Sequence, residues 1–272
     1  MSLRTFLRPR KRFGQNFLRD PLVIEKIIKA VRPQSEDRVV EIGPGLGALT
    51  HSLVDHLNKL DVVEIDRDLA HELQTIFQDR KELTIHVQDA LTFKLSTLNT
   101  RDNNPQKIRV IGNLPYNIST PLIFHLLEEA HLIQDMYFML QKEVVERLSA
   151  KPQCKDYGRL TVMVQYFCEV TPLFMVEPTA FYPIPKVHSQ LVALIPHQKL
   201  PSPALDLSIL QAITKTAFSQ RRKTLSNALK PYLTARDFTA LDLNPSLRPE
   251  ALSVADFVQI SNYIVTHPKQ LT

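Results

Sequence analysis

Cysteine is nearly absent: Cys154 and Cys168 are the two thiols in 272 residues, which excludes a disulfide framework and a cysteine-rich metal site. His71-Glu72 has no second histidine four residues on, so the helical zinc pattern is missing and no metal is expected. No run of about 18 apolar residues occurs, so no membrane span is expected. The opening MSLRTFLRPRKRFGQNF is basic but lacks the apolar stretch of a secretory signal. These absences suit the reducing cytoplasm. Glycine is also scarce, at six residues, and its placement therefore carries information.

What is present is a globular composition, 44% hydrophobic, with a net charge of +5 that is unevenly spread. Residues 1–20 carry Arg4, Arg8, Arg10, Lys11, Arg12 and Arg19 against a single acid, Asp20. A second cluster, Arg221-Arg222-Lys223, lies towards the other end. Two such clusters point to a polyanionic partner whose phosphates supply much of the affinity.

From Asp20 to about Gln141 short apolar runs alternate with helical patterns. Asp20-Pro21 reads as an N-cap followed by a first-turn proline. Strands are predicted at 39–42, 62–65, 83–87, 109–111 and 136–140, with helices at 48–57, 69–77, 120–130 and 143–148. This alternation predicts an α/β fold with a mostly parallel sheet and helices on both faces. A helix at 160–167 and strands at 170–176 and 190–195 follow, the last two as an antiparallel pair at the sheet edge. The Pro-rich stretch 196–203 reads as a linker. Beyond it lie helical patterns at 207–218, 225–229, 237–241 and 254–264, the last opened by a capping box, Ser253 to Asp256. The expected domains are 1–198, with a basic arm over 1–19, and a small all-α domain over 199–272.

Gly43, Gly45 and Gly47 follow the first strand in VVEIGPGLGALT and lead into a helix. Glycines at that junction allow a tight turn and close approach of a ligand to the main chain. The loop fits a dinucleotide fingerprint and a methyl-donor loop equally well, and Glu64 at the second strand end suits ribose hydroxyls in either case. Asp89, after the third strand, can accept from an exocyclic adenine amine. The fourth strand ends in Asn113-Leu114-Pro115-Tyr116, where an amide and an aromatic one proline apart can grip a flat ring bearing an amine. Ligands of open α/β sheets lie outside the carboxyl strand ends, so one crevice is expected to hold cofactor and gripped amine together.

Taken together, VVEIGPGLGALT, Glu64, Asp89-Ala90 and Asn113-Leu114-Pro115-Tyr116 resemble the class I methyltransferases that act on adenine N6. RFGQNFL at 12–18, FYPIPKVHS at 181–189 and FSQRRKTL at 218–225 are similar to signatures of the ribosomal RNA adenine dimethylases, and favour their bacterial 16S branch. The resemblance implies a Rossmann-like domain and S-adenosyl-L-methionine as methyl donor. It also implies N6,N6-dimethylation of two adjacent adenosines in the 3′-terminal hairpin loop of 16S rRNA, within immature 30S particles. On it, Asn113 and the Leu114 carbonyl hold the amine, Tyr116 and Phe181 stack on the base, and Asn16, Leu18, Gly43, Gly45, Glu64, Asp89 and Asn113 hold the cofactor. Arg8, Arg10, Lys11, Arg12, Arg221, Arg222 and Lys223 are the implied RNA contacts, and a monomer is expected. The alternatives are a 23S rRNA adenine methylase of the erythromycin-resistance type and a nucleotide-cofactor oxidoreductase. Gly158 is the one glycine outside these motifs.

Overall fold

The computed structural model describes residue 10 and residues 14–99, 106–220 and 222–268. In chain order the elements are β1 (Phe17–Leu18), α1 (Pro21–Val31), β2 (Arg38–Ile42), α2 (Thr50–Val54), β3 (Leu60–Glu64), α3 (Arg67–Ile76), β4 (Leu83–Val87), β5 (Ile108–Asn113), α4 (Ser119–Leu127), β6 (Ile133–Gln141), α5 (Lys142–Leu148), α6 (Arg159–Phe167), β7 (Cys168–Val176), β8 (Phe181–Tyr182) and β9 (Ser189–Pro196). Four helices follow: α7 (Leu207–Ser219), α8 (Leu225–Ala228), α9 (Ala235–Ala240) and α10 (Val254–Thr266).

Seven strands form one sheet in the order β4-β3-β2-β5-β6-β9-β7. β4, β3, β2, β5 and β6 run parallel, and β9 joins β6 antiparallel. β2 and β3 are buried along their whole length, as strands of a sheet covered on both faces must be, whereas β4, at the sheet edge, is partly exposed throughout. The order runs outward from β2 through β3 to β4, then returns to β5. That reversal makes the β2–β5 junction a topological switch point, where open α/β sheets bind ligands.

Local signals explain several boundaries. Asp20 caps α1 by accepting from the N–H groups of Leu22 and Val23, with Pro21 at the first turn. The expected helix over 48–57 is shorter, because the Gly47 N–H closes a turn on the Pro44 carbonyl (2.9 Å) before α2 starts. At the opposite sheet end, Arg109 bonds both oxygens of its cross-strand partner Asp135 and reaches Asp37 at 2.6 Å and the Val31 carbonyl at 2.7 Å. Burial works against that charge, yet the two carboxylates outweigh it and hold the guanidinium protonated.

One small sheet lies outside the sequence expectation. β1 and β8 pair antiparallel, Phe17 opposite Tyr182 and Leu18 opposite Phe181, although the paired residues lie 165 and 163 positions apart in the chain. Two-residue strands carry no periodicity, so only the fold could bring them together.

The chain divides into two compact units, residues 1–145 with 171–196, and residues 146–170 with 197–272. A single cut at 198 is therefore corrected: the 146–170 segment belongs with the C-terminal helices. The reason is α6, whose residues Leu160 to Val164 are buried and whose Met163 sulfur accepts from the Thr214 hydroxyl of α7. Around them Tyr157 meets Phe218 edge-on and Phe218 meets Phe257 at a tilt, with ring centroids 6.1 and 5.6 Å apart. Ser253 and Asp256 form the expected capping box of α10. Among the described residues no helix is long and apolar enough to cross a membrane.

Candidate active site

Carboxyl ends of β2, β3 and β5, with the residues after β4, surround a cavity of about 230 Å³. Gly43, Gly45, Glu64, Asp89, Asn113, Leu114 and Tyr116 all line it, together with Asn16 and Leu18 from the N-terminal segment. The loop from β2 passes close beneath that segment. Gly45 has φ +59°, which strains any side chain, and a Cβ there would also crowd the Phe17 ring at 3.0 Å.

Glu64 is buried at the end of β3 and accepts from the N–H of Asp66 (2.8 Å) and of Gly45 (3.2 Å). Burial pushes its carboxyl up, and those two N–H groups pull the other way. Glu41, also lining the cavity, is raised to about 7 by burial, against the Thr50 hydroxyl that donates to it at 2.7 Å. Asp89 uses one oxygen to accept from the Leu91 N–H at 2.9 Å. Ile65, next to Glu64, lines the cavity with its side chain well exposed.

The Asn113-to-Tyr116 turn is held at several points. The Asn113 Nδ2 donates to the Asn16 carbonyl at 2.9 Å, which turns the amide oxygen into the acceptor of the pair. The Leu114 N–H reaches the Met139 carbonyl of β6 at 3.3 Å. Carbonyls of Pro115 and Tyr116 are taken by the Ile118 N–H and the Ser119 hydroxyl, both at 3.2 Å, which leaves the Leu114 carbonyl as the backbone acceptor beside Asn113. The Tyr116 hydroxyl meets the Ser189 Oγ at 2.9 Å. Asn113, Leu114 and Tyr116 thus line one cavity, and no cluster that could hold a metal occurs among the described residues.

Two sequence expectations change here. Phe181 does not line the cavity: it is 3% exposed in the core with Leu18, Val176, Ala180 and Leu191. Strand alternation decides this, since pairing with Leu18 turns Phe181 inward and leaves Tyr182 outward beneath the Arg19 guanidinium, 4.0 Å from its ring. Arg10 is the second. Its guanidinium is engaged by Asp66 (2.8 Å) and Asp68, and its N–H donates to the Gln15 side chain at 2.7 Å. Gln15 in turn donates to Asp66, the N-cap of α3, at 3.2 Å. Arg10 therefore fastens the cavity-lining segment to α3, a second role beside the RNA contact expected of it. Arg8, Lys11, Arg12 and Arg221 lie outside the described residues; Arg222 and Lys223 are exposed in the turn after α7.

Sequence reasoning passed over Phe17, Glu41, Ile65, Gln88 and Asn117, all of which line the cavity. For Ile65 a signal existed, an apolar residue directly after the strand-end Glu64. Phe17 had none, because alternation with Asn16 and Leu18 argued against it.

A family model described as ribosomal RNA adenine dimethylase matches residues 7–266. The chain is 54% identical over 255 residues to the ribosomal RNA small subunit methyltransferase A of Marinobacter nauticus, covering 94% of this chain and 91% of that protein. Among solved structures it resembles a dimethyladenosine transferase from Plasmodium falciparum, with TM-score 0.77, 28% identity and coverage of 92% and 98% of the two chains. The 23S rRNA methyltransferase ErmE, at TM-score 0.69, 23% identity and coverage of 92% and 100%, shares the fold.

Proposed function

The chain belongs to the ribosomal RNA adenine dimethylase family, and from that premise we propose that it transfers methyl groups from S-adenosyl-L-methionine to N6 of adenosines in small-subunit ribosomal RNA. The substrate is two adjacent adenosines in the 3′-terminal hairpin loop of 16S rRNA, met in an immature 30S particle in the cytoplasm by a monomeric enzyme. The observation that carries the reading is the Asn113 amide, whose nitrogen is held by the Asn16 carbonyl in a residue that lines the same cavity as Glu64 and Asp89.

The residues present fit the methyl donor. Glu64 offers two carboxylate oxygens, now on backbone N–H groups, to ribose hydroxyls; Asp89 keeps one oxygen for an adenine amine; and Ile65 supplies an apolar face. When bound, the cofactor supplies a methyl group already activated by its sulfonium charge.

The acceptor is the harder half. An adenine N6 lone pair is delocalised into the ring and is a poor nucleophile. Accepting its two N–H bonds at Asn113 Oδ1 and the Leu114 carbonyl draws the nitrogen towards sp³ geometry and aims the lone pair. Pro115 stiffens the turn by fixing φ, which matters because near-attack positioning contributes more here than basicity. Tyr116 stacks on the base, worth about 1–3 kcal/mol. A loop adenosine reaches such a pocket more cheaply than a duplex one, since less stacking is lost. Arg222 and Lys223 hold the phosphate backbone.

The test is mass spectrometry of small-subunit RNA after incubation with labelled S-adenosylmethionine and immature particles. The parent chain should yield N6,N6-dimethyladenosine and Asn113→Ala should not. Transfer by Asn113→Ala at the parent rate would refute the grip.

A further inference from the structure

We propose that Ser189 is a positioning residue for methyl transfer, which locks the Tyr116 ring and so determines how completely the second methyl is added; this rests on the reading of Tyr116 as the stacking platform. A tyrosine in a short turn has two free side-chain torsions, and the turn itself fixes neither. Here the far end of the ring is tied. The Tyr116 hydroxyl and the Ser189 Oγ are 2.9 Å apart, and Ser189 is fully buried at the first position of β9.

The tie has a rigid base. Ser189 pairs with Gln141 in the β6–β9 ladder, and two positions along that ladder Met139 pairs with Leu191. The Met139 carbonyl takes the Leu114 N–H from the same turn. β6 therefore holds the near end of the turn, β9 holds the far end of the ring, and the two strands are bonded neighbours. The direction of the ring axis is thus held from the sheet at its far end as well as from the turn at its near end.

This geometry bears unequally on the two transfers. In each, an N6–C bond forms as the donor's S–C bond breaks, sulfur keeps the bonding pair, and the nitrogen's proton leaves to water. The unmodified amine presents two N–H groups to Asn113 and Leu114. After one methyl it presents a single N–H, so the stack on Tyr116 carries more of the alignment. Loosening the ring should slow the second transfer more than the first.

The experiment measures single-turnover methylation of immature 30S particles and the mono- to dimethyladenosine ratio, with titration of S-adenosylhomocysteine as a control for the cofactor side. Ser189→Ala should lower the first transfer about threefold and raise the ratio about tenfold, with unchanged affinity for S-adenosylhomocysteine. Tyr116→Phe removes the same bond from the half-exposed partner and should reproduce both effects, and the double variant should be no worse than either single one. A parent ratio in Ser189→Ala and Tyr116→Phe, alongside an inactive Tyr116→Ala, would overturn the inference and leave the stacking role of Tyr116 standing. Multiplying effects in the double variant would overturn it as well. Parent activity in Tyr116→Ala would bring down the platform reading itself.

Discussion

Gly112→Ala should separate the two halves of the site without changing the chemistry of any group that contacts a substrate. Gly112 lies opposite Ile42 where β2 and β5 pair, directly before Asn113 and beside the loop that begins at Gly43. A Cβ there would sit 2.7 Å from the Ile42 carbonyl oxygen and 2.9 Å from the Leu114 Cδ2, where ordinary contact starts at 3.4 Å. The obstacle is backbone at the carboxyl end of the β2–β5 ladder, so the strands must part there by roughly 0.7 Å, the shortfall between those two figures. Overpacking of this kind costs about 1–3 kcal/mol. For a chain of this size that is roughly 2–4 °C of melting temperature per kcal/mol. The same shift moves the Asn113 amide away from the cofactor loop, and misplacement of about 1 Å can cost on the order of 10²-fold in rate. Gly158→Ala is the control: a Cβ there meets nothing within 4 Å, its backbone is extended, and the change should cost no more than about 1 kcal/mol, the preference for glycine over alanine at a helix N-cap. Thermal melts and methyl transfer to immature particles read both quantities. If Gly112→Ala melts and turns over like the parent, the strands yield freely and the argument from close approach is wrong.

Two further outcomes follow from charge. The Glu41 carboxyl is raised from its ordinary 4.5 to about 7, so the folded protein holds that proton more tightly than the unfolded chain. Its contribution to stability is full below about pH 4.5 and is lost as pH rises through about 7, a change of about 3 kcal/mol for this buried group. Glu41→Gln should gain that much on the parent between pH 4.5 and 8 in urea titrations, and a pH-independent difference would contradict the assignment. Arg10→Gln should weaken S-adenosylhomocysteine binding several-fold by unfastening the segment held at Asp66; Arg222→Glu with Lys223→Glu should leave that binding unchanged, weaken particle binding and flatten its salt dependence. If Arg10→Gln weakened particle binding alone, Arg10 would be an RNA contact without the fastening role.

Most of what depends on neighbours along the chain was legible in the residues, the turn that shortens α2 being an exception. Apolar runs and helical spacing located each strand of the main sheet, the Asp20-Pro21 cap opened α1, and the glycine loop, Glu64, Asp89 and the Asn113 turn fell at strand ends because sheet proteins place ligands there. Those motifs are local, since each is set by turn chemistry and by period. Pairing across long stretches of chain belonged to the tertiary structure. It joined β1 to β8 and thereby turned Phe181 into the core, and it gave Arg10 to Asp66 and Asp68. It also drew residues 146–170 to the C-terminal helices and tied the Tyr116 hydroxyl to Ser189. A side chain's type tells what it can bond. Which partner it meets depends on the register of strands that the chain itself does not bring together, and that register is fixed only when the core closes.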